Sequence, residues 1–99
     1  MKLALFARLE AKAGKEKEVA EFLGQGLALA NQEATTLMWF GLRLGPTTFA
    51  IFDAFADEAG RQRHLTGPIA KALMAHAPEL FAAPPVIEPL EVLVAKLPA

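Results

Sequence analysis

Hydrophobic and polar positions alternate along residues 2–12, with Leu3, Leu5, Ala7 and Leu9 on one side and Ala4, Phe6, Arg8 and Glu10 on the other. A period of two is that of a strand, and the first side is the one to bury. The second side begins apolar and ends charged, which suits a face that is only partly covered. Residues 15–31 change to helical spacing, with Val19, Phe22, Leu23, Leu27 and Ala30 on one stripe and Lys15, Glu16, Lys17, Glu18 and Glu21 opposite. Gly24 and Gly26 fall in the middle of this helix, where each glycine costs about 1 kcal/mol. Their presence there marks close packing of the helix on a sheet.

Residues 36–44 and 49–55 are rich in aromatic and β-branched side chains and flank Gly45-Pro46-Thr47-Thr48. Two strands joined by so short a turn form an antiparallel hairpin. Asp57 then reads as the N-cap of a helix over 57–66, which stops at Gly67-Pro68. A further helix is predicted over 68–76. Pro78 interrupts it, and residues 79–83 add a last turn. Ala83-Pro84-Pro85 is a stiff linker. The final strand is predicted over 86–97, where Pro89 demands an edge position or a bulge. The order β-α-β-β-α-β predicts a single α+β domain spanning residues 1–99. It is the ferredoxin-like arrangement of one antiparallel sheet with helices on one face.

Both faces of that sheet are apolar. Phe49, Ile51 and Phe55 share a side with Asp53, while Ala50, Phe52 and Ala54 share the other. One layer of helices covers one face, so the pattern predicts a homodimer in which two sheets pack face to face. Composition agrees, because 54% hydrophobic residues in 99 are more than one small core hides. A net charge of −1 gives no footprint for nucleic acid or an anionic membrane surface. The absence of cysteine removes disulfides, thiolate metal sites and cysteine nucleophiles. Charged Arg8, Glu10 and Lys12 are unlike a signal peptide. No apolar run reaches the roughly 20 residues of a membrane span. The expectation is a cytoplasmic protein.

The stretches Phe6-Ala-Arg-Leu-Glu-Ala-Lys-Ala-Gly-Lys-Glu-Lys-Glu-Val19 and Phe55-Ala-Asp-Glu-Ala…His64-Leu-Thr-Gly-Pro68, with the element order, resemble the antibiotic biosynthesis monooxygenase-like proteins of the dimeric α+β barrel superfamily. The resemblance implies a swap-reinforced dimeric barrel with an apolar pocket between helices and sheet in each subunit. It also implies cofactor-free oxidation by O₂ of a small apolar aromatic or quinol-type compound. The haem-degrading branch carries an asparagine on the first strand near Ala7 and a haem-ligating histidine near Met74, and neither is present here. The aromatic-polyketide branch uses a tyrosine, and this chain has none. The alternative, from another class, is a non-catalytic dimeric ligand-binding or stress-response module of the same fold.

His64 is the candidate catalytic residue, as base or hydrogen-bond anchor, because a neutral imidazole takes a phenolic or enolic proton near neutral pH. Its bland reading is a helix-face histidine satisfied by backbone or by Asp53. Trp39, Phe6 and Phe52 are candidate walls of a substrate pocket, with ordinary sheet packing as the competing role. Phe40, Phe49 and Phe55 are core by default. Asp53 is the odd polar residue of an apolar strand. It needs a partner, either Arg8 or Arg43 in a structural ion pair or His64 in a working one. His76, before Ala77-Pro78, suits the negative end of a helix dipole. The 64/76 spacing is no metal signature, and neither metal nor cofactor is expected.

Overall fold

A computed structural model describes residues 1–98. The chain runs β1 (Leu3–Glu10), α1 (Glu16–Ala30), β2 (Thr36–Arg43), β3 (Thr48–Phe55), α2 (Glu58–Leu65), α3 (Pro68–Leu80) and β4 (Val86–Glu91). The four strands form one antiparallel sheet in the order β2-β3-β1-β4. This is the ferredoxin-like α+β fold, with the helices on one face. Pro89 lies in an edge strand, where the missing amide removes nothing from an interior ladder.

Register decides which side chains meet the helices. Leu5, Ala7 and Leu9 of β1 stand opposite Asp53, Ile51 and Phe49 of β3, and all of them turn towards the helices. Val19, Phe22 and Leu23 of α1 and Leu73 and Leu80 of α3 close over them. Gly26 is the close approach that the sequence marked. A Cβ there would stand 3.1 Å from the Trp39 indole, whereas one on Gly24 would meet nothing within 4 Å.

Three expectations are corrected. Pro78 does not interrupt α3, which continues to Leu80. Pro78 forgoes one bond to the carbonyl four residues back, yet the last turn still closes (Phe81 N–H to the Ala77 carbonyl, 3.0 Å), and the chain then pairs with the end of β1 (Ala82 N–H to the Glu10 carbonyl, 2.8 Å). The last strand ends at Glu91 and not at 97. Its partner β1 begins at Leu3, and the pairing ends with the Val92 N–H to Lys2 carbonyl bond (2.7 Å). Residues beyond it leave the sheet, with Leu93 and Val94 82% and 90% exposed. Finally, the phenylalanines divide by face. Phe49 and Phe55 are buried, while Phe40 is exposed and Phe6 and Phe52 only half-buried on the face without helices.

Candidate functional site

α2 is short and mostly polar, and its buried positions are Gly60 and His64, four residues apart on one face. Asp57 caps it, its carboxylate accepting the Gly60 N–H at 2.9 Å. The lack of a Cβ at Gly60 lets the helix lie against Thr35, whose carbonyl oxygen would stand 3.2 Å from such an atom. This close seating drives the imidazole inward, where it is 7% exposed and its ring centroid lies 5.3 Å from that of Phe55.

Both ring nitrogens meet carboxylates. Nε2 lies 2.8 Å from Asp53 Oδ2, on β3, and Nδ1 lies 2.7 Å from Glu33 Oε1, in the connection before β2. Thr36 donates its hydroxyl to the same Glu33 oxygen at 2.7 Å. An acceptor on each side of the ring favours an N–H on each nitrogen, which is the imidazolium form. Burial is the largest single influence on the His64 pKa and pulls it down. The hydrogen bonds and charges of Asp53 and Glu33 together outweigh it, and the net shift is upward.

Asp53 is 2% exposed, and its Oδ1 has no hydrogen-bond partner among the described residues. Asp53 and His64 form the polar wall of a small, partly open cavity of about 30 Å³, whose other walls include Leu5, Ile51, Ile69, Leu73 and Ile87. Among the described residues no group of three His, Asp or Glu side chains could hold a metal ion. The two carboxylates sit on opposite edges of the imidazole instead of converging on one point.

Of the residues singled out from the sequence, the structure brings together His64 and Asp53. Trp39 is directly opposite Asp53 in the ladder, yet its indole packs on Gly26 of α1 and does not line the cavity. Phe6 and Phe52, expected as walls, are cross-strand partners on the other face of the sheet. Period two carries them away from the helix side, so they cannot border the His64 cavity. Arg8 points to that same far face, and Arg43 lies over the Phe49 ring at 4.7 Å, so neither pairs with Asp53. His76 contacts Phe22 at 5.4 Å between ring centroids, away from this network.

No family model matches the chain, and no curated protein matches it. Solved structures do. The NE2512 protein of unknown function from Nitrosomonas europaea is 62% identical, with a TM-score of 0.95, over 99% of this chain and 95% of its own. The chain belongs to the family of that Nitrosomonas protein. The PA3566 protein from Pseudomonas aeruginosa matches at 21% identity and a TM-score of 0.80, over 94% of this chain and 95% of its own. A protein from Caulobacter crescentus described as a "putative antibiotic biosynthesis monooxygenase" matches at 20% identity and a TM-score of 0.80, over 94% and 91%. At such identities the likeness is one of fold, and the fold is that of the antibiotic biosynthesis monooxygenase-like proteins. No helix among the described residues is long and apolar enough to cross a membrane.

In this family member Glu33 is the site residue that the sequence reading missed. An acidic side chain in a polar connection reads as solvated, and only the second ring nitrogen of a buried histidine already paired with aspartate points to it. The network sets the sign of a pH dependence. Asp53 faces His64 from β3, Glu33 from the connection before β2 and the Thr36 hydroxyl from β2, while Arg61 on α2 is engaged with Glu58 at 2.6 Å. A histidine whose folded pKa is raised contributes stability that is fully present below its unfolded value of about 6.5, and loses it as pH rises through the folded value. Urea unfolding at about pH 6 and about pH 9 is therefore expected to show lower stability at the higher pH, with the difference reduced in His64→Gln.

Proposed function

We propose that the chain is a cytoplasmic, homodimeric monooxygenase-like protein acting without a cofactor on a small apolar aromatic or quinol-type compound. The observation that carries this is the buried Asp53–His64 pair on the wall of an otherwise apolar cavity between helices and sheet. Both His64 nitrogens are engaged, and of the two unpartnered carboxylate oxygens, Glu33 Oε2 and Asp53 Oδ1, the one on a residue lining the cavity is Asp53 Oδ1, with His64 as its anchor. Taking a phenolic or enolic proton onto that oxygen leaves an electron-rich anion, which O₂ oxidises. Where a CH₂ carbon conjugated with that oxygen becomes C=O, the second oxygen atom leaves as water; where a quinol becomes a quinone, its two electrons and two protons pass to O₂, which leaves as hydrogen peroxide. General-base assistance of this kind is worth about 10²–10⁴ in rate.

Oxygen uptake with a panel of quinols and polycyclic phenols, no metal added, tests the reading. The wild type is expected to turn over at least one compound, with the rate falling by about 10² or more in Asp53→Asn. Equal turnover in that variant removes Asp53 from the chemistry. The second reading, a non-catalytic binding or stress-response module, is favoured by the small cavity, since about 30 Å³ admits no ring without movement of its walls. No turnover on any compound would select it.

A further inference from the structure

Three side chains from three elements meet at the Nδ1 edge of His64. Glu33 Oε1 lies 2.7 Å from Nδ1 and 2.7 Å from Thr36 Oγ1, and Thr36 Oγ1 lies 3.5 Å from Nδ1 itself. The Thr36 hydroxyl has one proton to give. While Nδ1 carries its own proton it is a donor, and the hydroxyl serves Glu33. A bare Nδ1 is an acceptor, and the hydroxyl already stands beside it. A neutral imidazole donates from one nitrogen only, so loss of a proton breaks one of the two carboxylate contacts.

Burial decides which contact goes. Asp53 is 2% exposed on β3, an interior strand. The Glu33 side chain is 14% exposed in a connection, and its Oε2 has no partner among the described residues, so this carboxylate gains hydration by turning outward. The backbone of the connection resists little. Its amides bond within the turn and to the end of α1 (Asn31 to Leu27, Gln32 to Leu29, Glu33 to Ala30 and Thr36 to Glu33, 3.0–3.2 Å). Among the described residues, its hydrogen bond to α2 is the one between His64 and Glu33.

We propose that His64, Glu33 and Thr36 form a proton-operated latch: protonated His64 clamps the 31–35 connection to α2 through Glu33, and loss of the Nδ1 proton to water transfers the Thr36 hydroxyl bond from Glu33 to His64 and frees Glu33 into solvent. Glu33 thus loses both of its donors in one step. His64 keeps its Nε2–H on Asp53 Oδ2, so α2 stays anchored to the sheet while the connection loosens. The other elements around the ring bring no competing charge. Leu5 and Ala7 of β1, Ile51 of β3, Ile69 and Leu73 of α3 and Ile87 of β4 are apolar. On α2, Arg61 is taken by Glu58 and by the Ala4 and Leu90 carbonyls. Because the two carboxylates hold the His64 pKa above its ordinary value of about 6.5, the latch is shut through the usual histidine range and opens on its alkaline side. The device belongs to the fold and holds whether or not the chain oxidises anything.

Nitrogen-15 NMR of the imidazole, with amide hydrogen exchange followed over the same pH series from about pH 6 upwards, tests it. Nδ1 is expected to lose its proton while Nε2 keeps its own. At the same midpoint, protection of the Glu33 and Thr36 amides is expected to fall about tenfold or more, after correction for the intrinsic rise of exchange with pH, and that of Phe22 in α1 to hold. In Glu33→Gln the neutral amide accepts from Nδ1–H in one state and, turned over, donates to bare Nδ1 in the other. The midpoint is therefore expected to fall and the step in protection to disappear. In Thr36→Val the bare nitrogen has no donor, and the midpoint is expected to rise. Loss of the proton from Nε2 overturns the proposal, as does a ring that stays doubly protonated until the protein unfolds. Protection that does not follow the titration also overturns it, and so does a midpoint that falls in Thr36→Val. The wild-type series decides the matter by itself where a variant fails to fold.

Discussion

Replacing His64 with alanine is expected to lower the stability of the fold by about 3–5 kcal/mol at neutral pH, the cost of removing one partner from a buried ion pair. Two carboxylates are then left facing the same space, Asp53 on β3 and Glu33 before β2, and neither has a cation in its place. The substitution also removes the ring that packs on Phe55 and severs the tie between α2, the sheet and the 31–35 connection. For a domain of this size each kcal/mol moves the thermal midpoint by about 4–8 °C, so a fall of more than about 10 °C is expected by calorimetry. Protein concentration has to be held constant, because association shifts the apparent midpoint. His76→Ala is the control. His76 is exposed and outside the network, and a change within about 1 kcal/mol is expected there. In a double-mutant cycle, Glu33→Gln combined with His64→Ala should cost less than the sum of the two, since Glu33→Gln removes one of the charges that His64→Ala strands. A loss below about 1 kcal/mol for His64→Ala would show that the carboxylates are solvated and that the pair does not organise this region.

The element order was legible because each element announces its own period: two in β1 and β3, near 3.6 in α1, with Asp57 and Gly67-Pro68 marking where α2 begins and ends. What stayed hidden depends on partners and not on local pattern. Residues 92–97 keep the alternation of a strand, but β1 begins at Leu3 and offers them no ladder. The counter-charge of Asp53 could have been narrowed from phase alone. Arg8 alternates with Leu9 and Ala7 and so faces away from the helices. Arg43 shares the Asp53 face but pairs with Phe49, four residues along the strand. Removing both arginines leaves His64, one short helix later, as the remaining candidate cation. Glu33 has no such signature. It is 31 residues from His64, in a connection, and reaches the ring because Gly60 and Gly67 let α2 close on that connection. A Cβ on Gly67 would lie 3.4 Å from Glu33 Oε2 and 2.9 Å from the Arg63 carbonyl oxygen. Chemistry was harder to read than fold for the same reason: the acceptors that remain open, Asp53 Oδ1 and Glu33 Oε2, are defined by which other atoms are taken.

Phe52→Glu is expected to turn a dimer into a monomer, with an increase in dissociation constant of about 10² or more seen by sedimentation. The face of the sheet away from the helices carries Phe6, Phe40, Phe52, Leu42 and Leu90 around small, fully buried Ala4, Ala50 and Ala54. Phe40 and Phe52 lie 6.2 Å apart between ring centroids, and Phe40, Leu42 and Val86 are exposed in the single chain. In the homodimer proposed above, a second copy of the same chain covers this contiguous apolar face through a two-fold axis. Under that symmetry one substitution introduces two carboxylates into the dry centre of the interface. Each carries a desolvation cost of several kcal/mol with no cation opposite, apart from Arg8, which is drawn to Phe6 at the margin. The Phe52 side chain is not part of the helix-facing core, so circular dichroism is expected to keep its wild-type form in the variant. Lys12→Glu, remote from this face at the end of β1, is expected to leave the assembly unchanged. A wild type that sediments as a stable monomer at micromolar concentration would overturn the two-sheet arrangement. It would also leave the outward Phe40, Phe52 and Leu42 requiring a different partner.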